Sequence, residues 1–298
     1  MAKIKFIEIR LSKARAARLE AINNIIVEYQ SEGYKLTLRQ LYYQLVSRDV
    51  IQNKQSEYTK LSILLKEGRM GGIVDWDAIE DRLRKPSQPA SWDTPQDAMQ
   101  DLIAQYELPR MKGQKNYIEV WVEKDALSGV LKRVTEKYHI PILVNRGYSS
   151  ASAMFDAYER FRYAIEYNCE NVIIFYLGDF DPSGIDMIRD VKDRIQEFTN
   201  KHYRNFPIEV IPIALTKEQI KQYNPPPNPA KTTDPRAGKF IDEHGATSWE
   251  VDALPPNVLI TLLDDAIRGQ IDFTTYMDIV NRENGDKEKL QALINLLN

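Results

Sequence analysis

Three carboxylates stand directly after short apolar runs. Glu123 follows residues 117–122, and Asp179 and Asp181 follow residues 172–177 within LGDFDPSG. In an open parallel sheet, ligands meet the carboxyl ends of the strands, so residues at those ends are the ones placed to do chemistry. If the two strands are neighbours, the three acids converge, and their mutual repulsion calls for a shared cation. With oxygen ligands and only three histidines in the chain, that cation is expected to be magnesium or manganese. Each acid alone also fits a plainer role, since Asp181-Pro182-Ser183-Gly184 is good turn chemistry. Asp186 reads as a first-turn helix acid that complements the helix dipole. Glu250 and Asp252, in SWEVDALPP, form a further acidic pair, although Trp249 and Val251 equally suit an alternating strand with its polar residues facing out.

A second constellation is Tyr43 with Arg39. Tyr42 lies on the apolar stripe of a helical pattern, whereas Tyr43 sits about 100° further round, on the polar flank. Arg39, four residues earlier, falls beside Tyr43 on that face. A phenol with an ordinary pKa near 10 is a poor nucleophile at neutral pH. An adjacent guanidinium favours the phenolate and can also grip a phosphate through two hydrogen bonds. The plainer alternative is an exposed tyrosine packed on an arginine stem.

These residues need elements to hold them. Leu19, Ile22, Ile25, Ile26 and Tyr29 recur at helical spacing in a segment of about residues 12–30, with Ser12 as its cap. After Gly33, Thr37 caps a short helix over 38–46. A polar turn at 52–55 then leads to a third helical pattern, with Tyr58, Leu61, Leu64 and Leu65 inside and Lys60, Lys66 and Arg69 outside. Three short helices with a basic outer face suit a helix-turn-helix module or a plain helical bundle. Pro86, Pro89 and Pro95 mark a linker over 85–95, which places a domain boundary at 90/91.

Beyond it, strand-like runs at 117–122, 141–144, 172–177 and 208–213 alternate with helical runs at 126–138, 150–167 and 185–198. That order predicts an α/β fold with a mainly parallel sheet and right-handed crossovers. Residues 224–229, NPPPNP, end the pattern, and 255–298 is helical by period.

Composition narrows the function classes. The 298 residues carry 40 Lys and Arg against 43 Asp and Glu, which alone argues against a chain coated for nucleic acid. The charge is divided, however. Residues 1–70 hold 13 basic against 7 acidic residues, and the other 228 hold 27 against 36. A basic head can neutralise phosphates while an acidic body collects carboxylates for metal. One cysteine, Cys169, and histidines as scattered as His139, His202 and His244 argue against zinc sites and Cys/His dyads. The opening residues alternate apolar and charged, unlike a signal peptide or membrane span, so a cytoplasmic protein with no membrane partner is expected.

Taken together, LTLRQLYYQLV at 36–46, VEKDAL at 122–127 and LGDFDPSGIDM at 177–187 resemble the A subunit of topoisomerase VI and its meiotic double-strand-break relatives, in a short bacterial or phage-like form. The resemblance covers most of the chain. It implies a winged-helix, CAP-like DNA-binding domain over 1–90 and a Toprim domain with a C-terminal helical extension over 91–298. It makes Tyr43 the nucleophile and gives Glu123, Asp179 and Asp181 the magnesium site. It also implies Tyr43-dependent transesterification of double-stranded DNA, with Arg39, Lys60, Lys66 and Arg69 on the DNA. In that family the tyrosine works with the metal site of a partner subunit, so a homodimer is implied, and Glu123 serves either as metal ligand or as general acid.

The chain departs from the family by being short. It has no glycine-rich ATP-binding segment, so strand passage would require a separate GHKL-type ATPase B subunit. A Toprim nuclease using metal-activated water and a non-catalytic DNA-binding protein stand as alternatives. Lys231 and Arg236, in the long proline-containing loop, are placed to touch DNA or solvent. The charge division predicts DNA affinity that falls both with added salt and on chelation of magnesium, measurable by fluorescence anisotropy of a labelled oligonucleotide.

Overall fold

The computed structural model describes residues 3–80, 89–145, 147–201, 206–229 and 234–295. The head is helical, as its periodicity predicts. Helix α1 (Lys13–Ser31) is capped by Ser12 and buries Leu19, Ile22, Ile25, Ile26 and Tyr29. Helix α2 (Leu38–Ser47) opens with a reciprocal capping box: the Gln40 amide donates to the Thr37 hydroxyl at 3.2 Å, and the Thr37 amide donates to Gln40 Oε1 at 2.8 Å. Helix α3 (Gln55–Met70) completes the three, with Leu61, Leu64 and Leu65 buried against Leu41 and Leu45 of α2. A 3₁₀ turn at Trp76–Ala78 follows, and β pairing in the described head is limited to the isolated bridges Lys5 to Gly71 and Leu36 to Ile79.

Pro86 lies outside the described residues. Pro95 does not belong to a linker: it is the first residue of α4 (Pro95–Gln105), capped by Thr94, a position where its missing N–H costs nothing. Helix α4 packs on the last helix, α11 (Phe273–Asn295).

The body is built on four parallel strands: β1 (Asn116–Val122), β2 (Ile142–Val144), β3 (Asn171–Leu177) and β4 (Ile208–Ala214), in the order β2-β1-β3-β4. Helices α5 (Asp125–Tyr138), α6 (Ala151–Glu166) and α7 (Pro182–Lys201) make the crossovers. Ile118, Val120 and Val122 point to one face, under α5 and α10 (Pro256–Arg268). Val172, Ile174 and Tyr176 point to the other, under α6 and α7. Burial on both faces explains the nearly unbroken apolar strands. The chain leaves β1 toward β2 and leaves β3 toward β4, so the connections diverge between β1 and β3 and open a crevice at their carboxyl ends.

After β4, α8 (Lys217–Tyr223) ends at Asn224 in the left-handed region, φ 45°. The proline-rich loop then supplies a two-residue strand, β5 (Asn228–Pro229), that pairs antiparallel with β6 (Thr247–Ser248). Helix α9 (Ala237–His244) lies between them. This small ladder, continued by paired backbone hydrogen bonds between Phe180 and Trp249, pins residues 247–254 over the end of β3. Among the described residues, no helix is long and apolar enough to cross a membrane.

One polar network lies inside the body. Glu119 of β1 is fully buried and accepts from Tyr117 Oη and Trp121 Nε1, both at 2.9 Å, and from Arg160 of α6 at 2.7 and 3.0 Å. A buried carboxylate is tolerated because every strong donor around it is used. Glu119→Ala would leave the buried indole N–H and the guanidinium without their acceptor. It is expected to cost about 3 kcal/mol, read as a lower urea midpoint at unchanged slope, with Glu119→Gln milder.

Candidate active site

The crevice gathers the acids expected there, but in a different set. The Glu123 carboxylate accepts the backbone N–H of Asp179 at 3.0 Å, which ties the end of β1 to the end of β3. Glycine is required at 178, where a Cβ would lie 3.0 Å from Glu123 Oε2 and 2.5 Å from the Tyr176 ring, and at 184, where it would lie 2.1 Å from the Asp179 carbonyl oxygen. Asp181 Oδ1 accepts the Gly184 N–H at 2.7 Å and so caps α7. The close-packed carboxylate oxygens, all within 4.8 Å of one another, belong to Asp179, Glu250 and Asp252. Of the expected magnesium ligands Glu123, Asp179 and Asp181, only Asp179 is in this cluster, because the other two are turned toward backbone N–H groups. Glu250 and Asp252 face inward rather than out. Val251–Ala253 is a 3₁₀ turn, not a strand, so the alternation breaks and Asp252 becomes completely buried.

Two cations occupy this cluster. Lys124 Nζ lies 2.7 Å from Asp179 Oδ1 and 3.0 Å from Asp252 Oδ1, and it also contacts Glu250. Arg39 Nε lies 2.8 Å from Asp252 Oδ2, and its guanidinium contacts Glu250. Asp179 further accepts the Val251 N–H at 2.9 Å. Burial pushes the Asp179 carboxyl up to about 7, against the pull of Lys124, while Lys124 and Arg39 hold Glu250 down at about 2 despite its burial. Burial also raises the Glu123 carboxyl. The all-oxygen donors Asp179, Glu250 and Asp252 suit a hard divalent ion such as magnesium, provided Lys124 yields its place.

Tyr43 is buried, not on an open polar flank. That flank of α2 is covered by the 251–253 turn, whose Ala253 joins the head core. Its ring meets Tyr42 edge to face at 5.2 Å, and the Arg39 guanidinium stands 5.6 Å from its centroid. Burial, reinforced by Glu250 and Asp252, raises the phenol above its ordinary pKa, and Arg39 and Lys124 offset only part of this. The expected phenolate stabilisation by Arg39 is thus not found in this state, because the acids of the body already hold the guanidinium. Tyr42 is more than a core residue. Its hydroxyl donates to Asn53 Oδ1 at 2.9 Å, and it lines the same cavity of about 440 Å³ as Tyr43, Arg39, Asp179, Asp181 and Glu250.

The expected DNA contacts divide. Lys60 is exposed and pairs with Glu57 at 2.7 Å. Arg69 is structural: it donates to the Trp76 and Ile79 carbonyls, both at 2.7 Å. Lys66 is exposed on a neighbouring depression of about 490 Å³ that shares Arg39 with the first cavity. Arg236 pairs with Asp186 at 2.9 Å and Asp234 at 3.1 Å, and Lys231 lies outside the described residues. Asp186 sits beyond the first turn of α7 and accepts Tyr148 Oη at 2.6 Å, so it is a bridging acid rather than a dipole partner.

Lys124 is the functional candidate that sequence reasoning passed over, although its place directly after Glu123 at a strand end was the available signal. Compared with known proteins, the chain matches no family model, no curated protein and no solved structure.

The Asp179 shift has a readable consequence. A carboxyl whose folded pKa exceeds its unfolded value of 3.8 favours the folded chain below about pH 4, and that contribution is lost as pH rises through about 7. In EDTA, Asp179→Asn is therefore expected to raise the thermal midpoint at pH 8, with the gain gone by pH 4. Scanning calorimetry across that range measures it, and equal midpoints for both chains at pH 8 would refute the desolvated carboxylate.

Proposed function

We propose that this chain is a magnesium-dependent DNA-cleaving enzyme that acts by tyrosine transesterification, as its resemblance to topoisomerase VI A subunits implies. The observation that supports this most is that Tyr43 lines one cavity together with Asp179 and Glu250, two members of the acid cluster, within a single chain. In this reading Tyr43 Oη attacks a DNA phosphorus, an O–P bond to tyrosine forms, and the bond to the 3′ oxygen breaks. The phenolic proton must leave toward a base, and the departing 3′ oxygen must gain one. Glu123, with its carboxyl raised by burial, is suited to donate it. Magnesium held by Asp179, Glu250 and Asp252 would neutralise charge gathering on the phosphate oxygens. Arg39 would exchange its carboxylate partners for the phosphate, a bidentate acceptor of equal geometry.

Because Tyr43 adjoins the acids of its own chain, one copy holds the groups for one strand, and a homodimer would serve both strands of a duplex. Strand passage would further draw on a GHKL-type ATPase, as the resemblance implies.

The test is a covalent-adduct assay with labelled supercoiled DNA and magnesium, stopped with detergent. Adducts are expected from the unaltered chain, none from Tyr43→Phe, and fewer by about a hundredfold or more from Glu123→Gln. Free cleaved ends that persist in Tyr43→Phe would replace this reading with hydrolysis by a metal-activated water. DNA binding without any cleavage would leave a binding protein.

A further inference from the structure

Lys124 stands where local helix chemistry gives no reason for a cation. It is the N-cap of α5, between β1 and that helix, and its side chain makes no cap hydrogen bond. A positive charge at a helix N-terminus also opposes the helix dipole. The side chain instead turns inward, only 15% exposed, and ends among the acids. Its Nζ stands 2.7 Å from Asp179 Oδ1 and 3.0 Å from Asp252 Oδ1 and touches Glu250 Oε2, so it meets an oxygen of each acid in the cluster. One amine thus fills the point on which three carboxylates converge.

The groups around this amine are held, whereas a lysine rides on a flexible four-carbon stem. The Glu123 N–H donates to the Leu177 carbonyl at 2.9 Å and the Asn145 N–H donates to the Val122 carbonyl at 2.8 Å, which fixes the backbone leading to Lys124. Asp179 Oδ1 accepts the Val251 N–H at 2.9 Å, and Asp252 is buried within its 3₁₀ turn. The two cations divide Asp252 between them: Lys124 takes Oδ1 and Arg39 takes Oδ2. Departure of the amine would therefore free an oxygen of each acid without undoing the bond from Asp252 to the head.

We propose that Lys124 Nζ holds, in the free chain, the position that a divalent ion takes in the cleaving enzyme, so that the ion enters by exchange with this amine. The proposal rests on the reading of these acids as a metal site and goes further by naming what regulates its loading. A magnesium ion binds carboxylate oxygens at about 2.1 Å, so on these oxygens it would stand in the volume that the amine fills, and two cations repel strongly at that range. Ion and amine exclude each other. The apparent affinity for the ion is then lowered by the small fraction of chains in which the amine has left. Until then the amine keeps three mutually repelling carboxylates compatible without metal. Loading the ion needs no separation of head from body, because Arg39 keeps its own oxygen of Asp252.

The test follows manganese(II) binding to the full chain by electron paramagnetic resonance, which counts the free ion and needs no catalysis. Lys124→Met is expected to bind manganese about tenfold or more tightly than the unaltered chain. Arg39→Gln removes an equal charge but leaves the amine in place, and is expected to gain clearly less. Equal gains from the two variants would reduce the effect to net charge and overturn the proposal. So would a Lys124→Met chain that binds no more tightly than the unaltered one. A measurement on the unaltered chain guards against misfolding of a variant: acetylation of Lys124 by an amine-reactive ester, read by peptide mass spectrometry, is expected to run several-fold faster with saturating manganese than in EDTA. Equal rates overturn the proposal. Manganese bound by neither chain removes the metal site and this inference with it. Tighter binding to Lys124→Met, with no covalent DNA adducts from the unaltered chain, sustains the exchange and refutes transesterification. Adducts together with equal manganese affinity in both chains do the reverse.

Discussion

The buried carboxylate of Asp252 holds the molecule together at its chemical centre. It accepts Arg39 from the head on one oxygen and Lys124 from the body on the other. Through that group, helix α2 is fastened to the sheet end, and through Lys124 the fastening continues to Asp179. A completely buried carboxylate would be costly alone, and two cations within hydrogen-bond range make it tolerable. The arrangement demands that 3₁₀ turn, β6 and the β1 and β3 termini all keep their places. A shift of any of them would leave a buried charge unpaired.

The same bridge sets the chemistry of Tyr43. With Arg39 and Lys124 both occupied by carboxylates, the phenol meets burial and negative charge more strongly than positive charge, so its proton is held. The resting electrostatics therefore oppose attack by tyrosine, and a cation that took over Asp179, Glu250 and Asp252 would shift the balance toward it. Charge at this site is arranged as three acids against two bases, with Asp179 as the member whose protonation burial leaves closest to neutral pH. Part of the positive excess in the head is neutralised locally. Arg15, Arg18, Arg48 and Lys60 each have a glutamate partner there, and Arg69 serves the backbone.

Periodicity made most of the architecture legible. The three head helices, the four strands and the α5, α6 and α7 crossovers all fall within a few residues of their expected bounds, because each buries a continuous stripe or face that leaves a regular apolar spacing. Features set by contacts between distant segments were not legible. Pro95 begins a helix because Thr94 caps it, which composition alone reads as a linker. Val251–Ala253 turns instead of extending because the backbone of residue 249 is paired with Phe180, a partner some seventy positions away. Tyr43 is buried for the same reason: its flank is polar in the helix and becomes interior only when that turn docks on it.

By itself, then, the sequence determined on which elements the candidate residues ride. Strand ends, capping residues and helix faces follow from local spacing and local hydrogen bonds, and these placed Glu123, Asp179, Asp181, Arg39 and Tyr43 correctly along the chain. Only the tertiary structure decided which carboxylates lie together, because an acid cluster is assembled by the order of strands and by a return segment that sequence order separates from them. It turned Glu123 and Asp181 toward backbone N–H groups, brought Glu250 and Asp252 in beside Asp179, and set Lys124 among them. Contacts of 2.7 to 3.0 Å between such buried charges depend on which distant segments meet in space, and they leave no trace in sequence spacing.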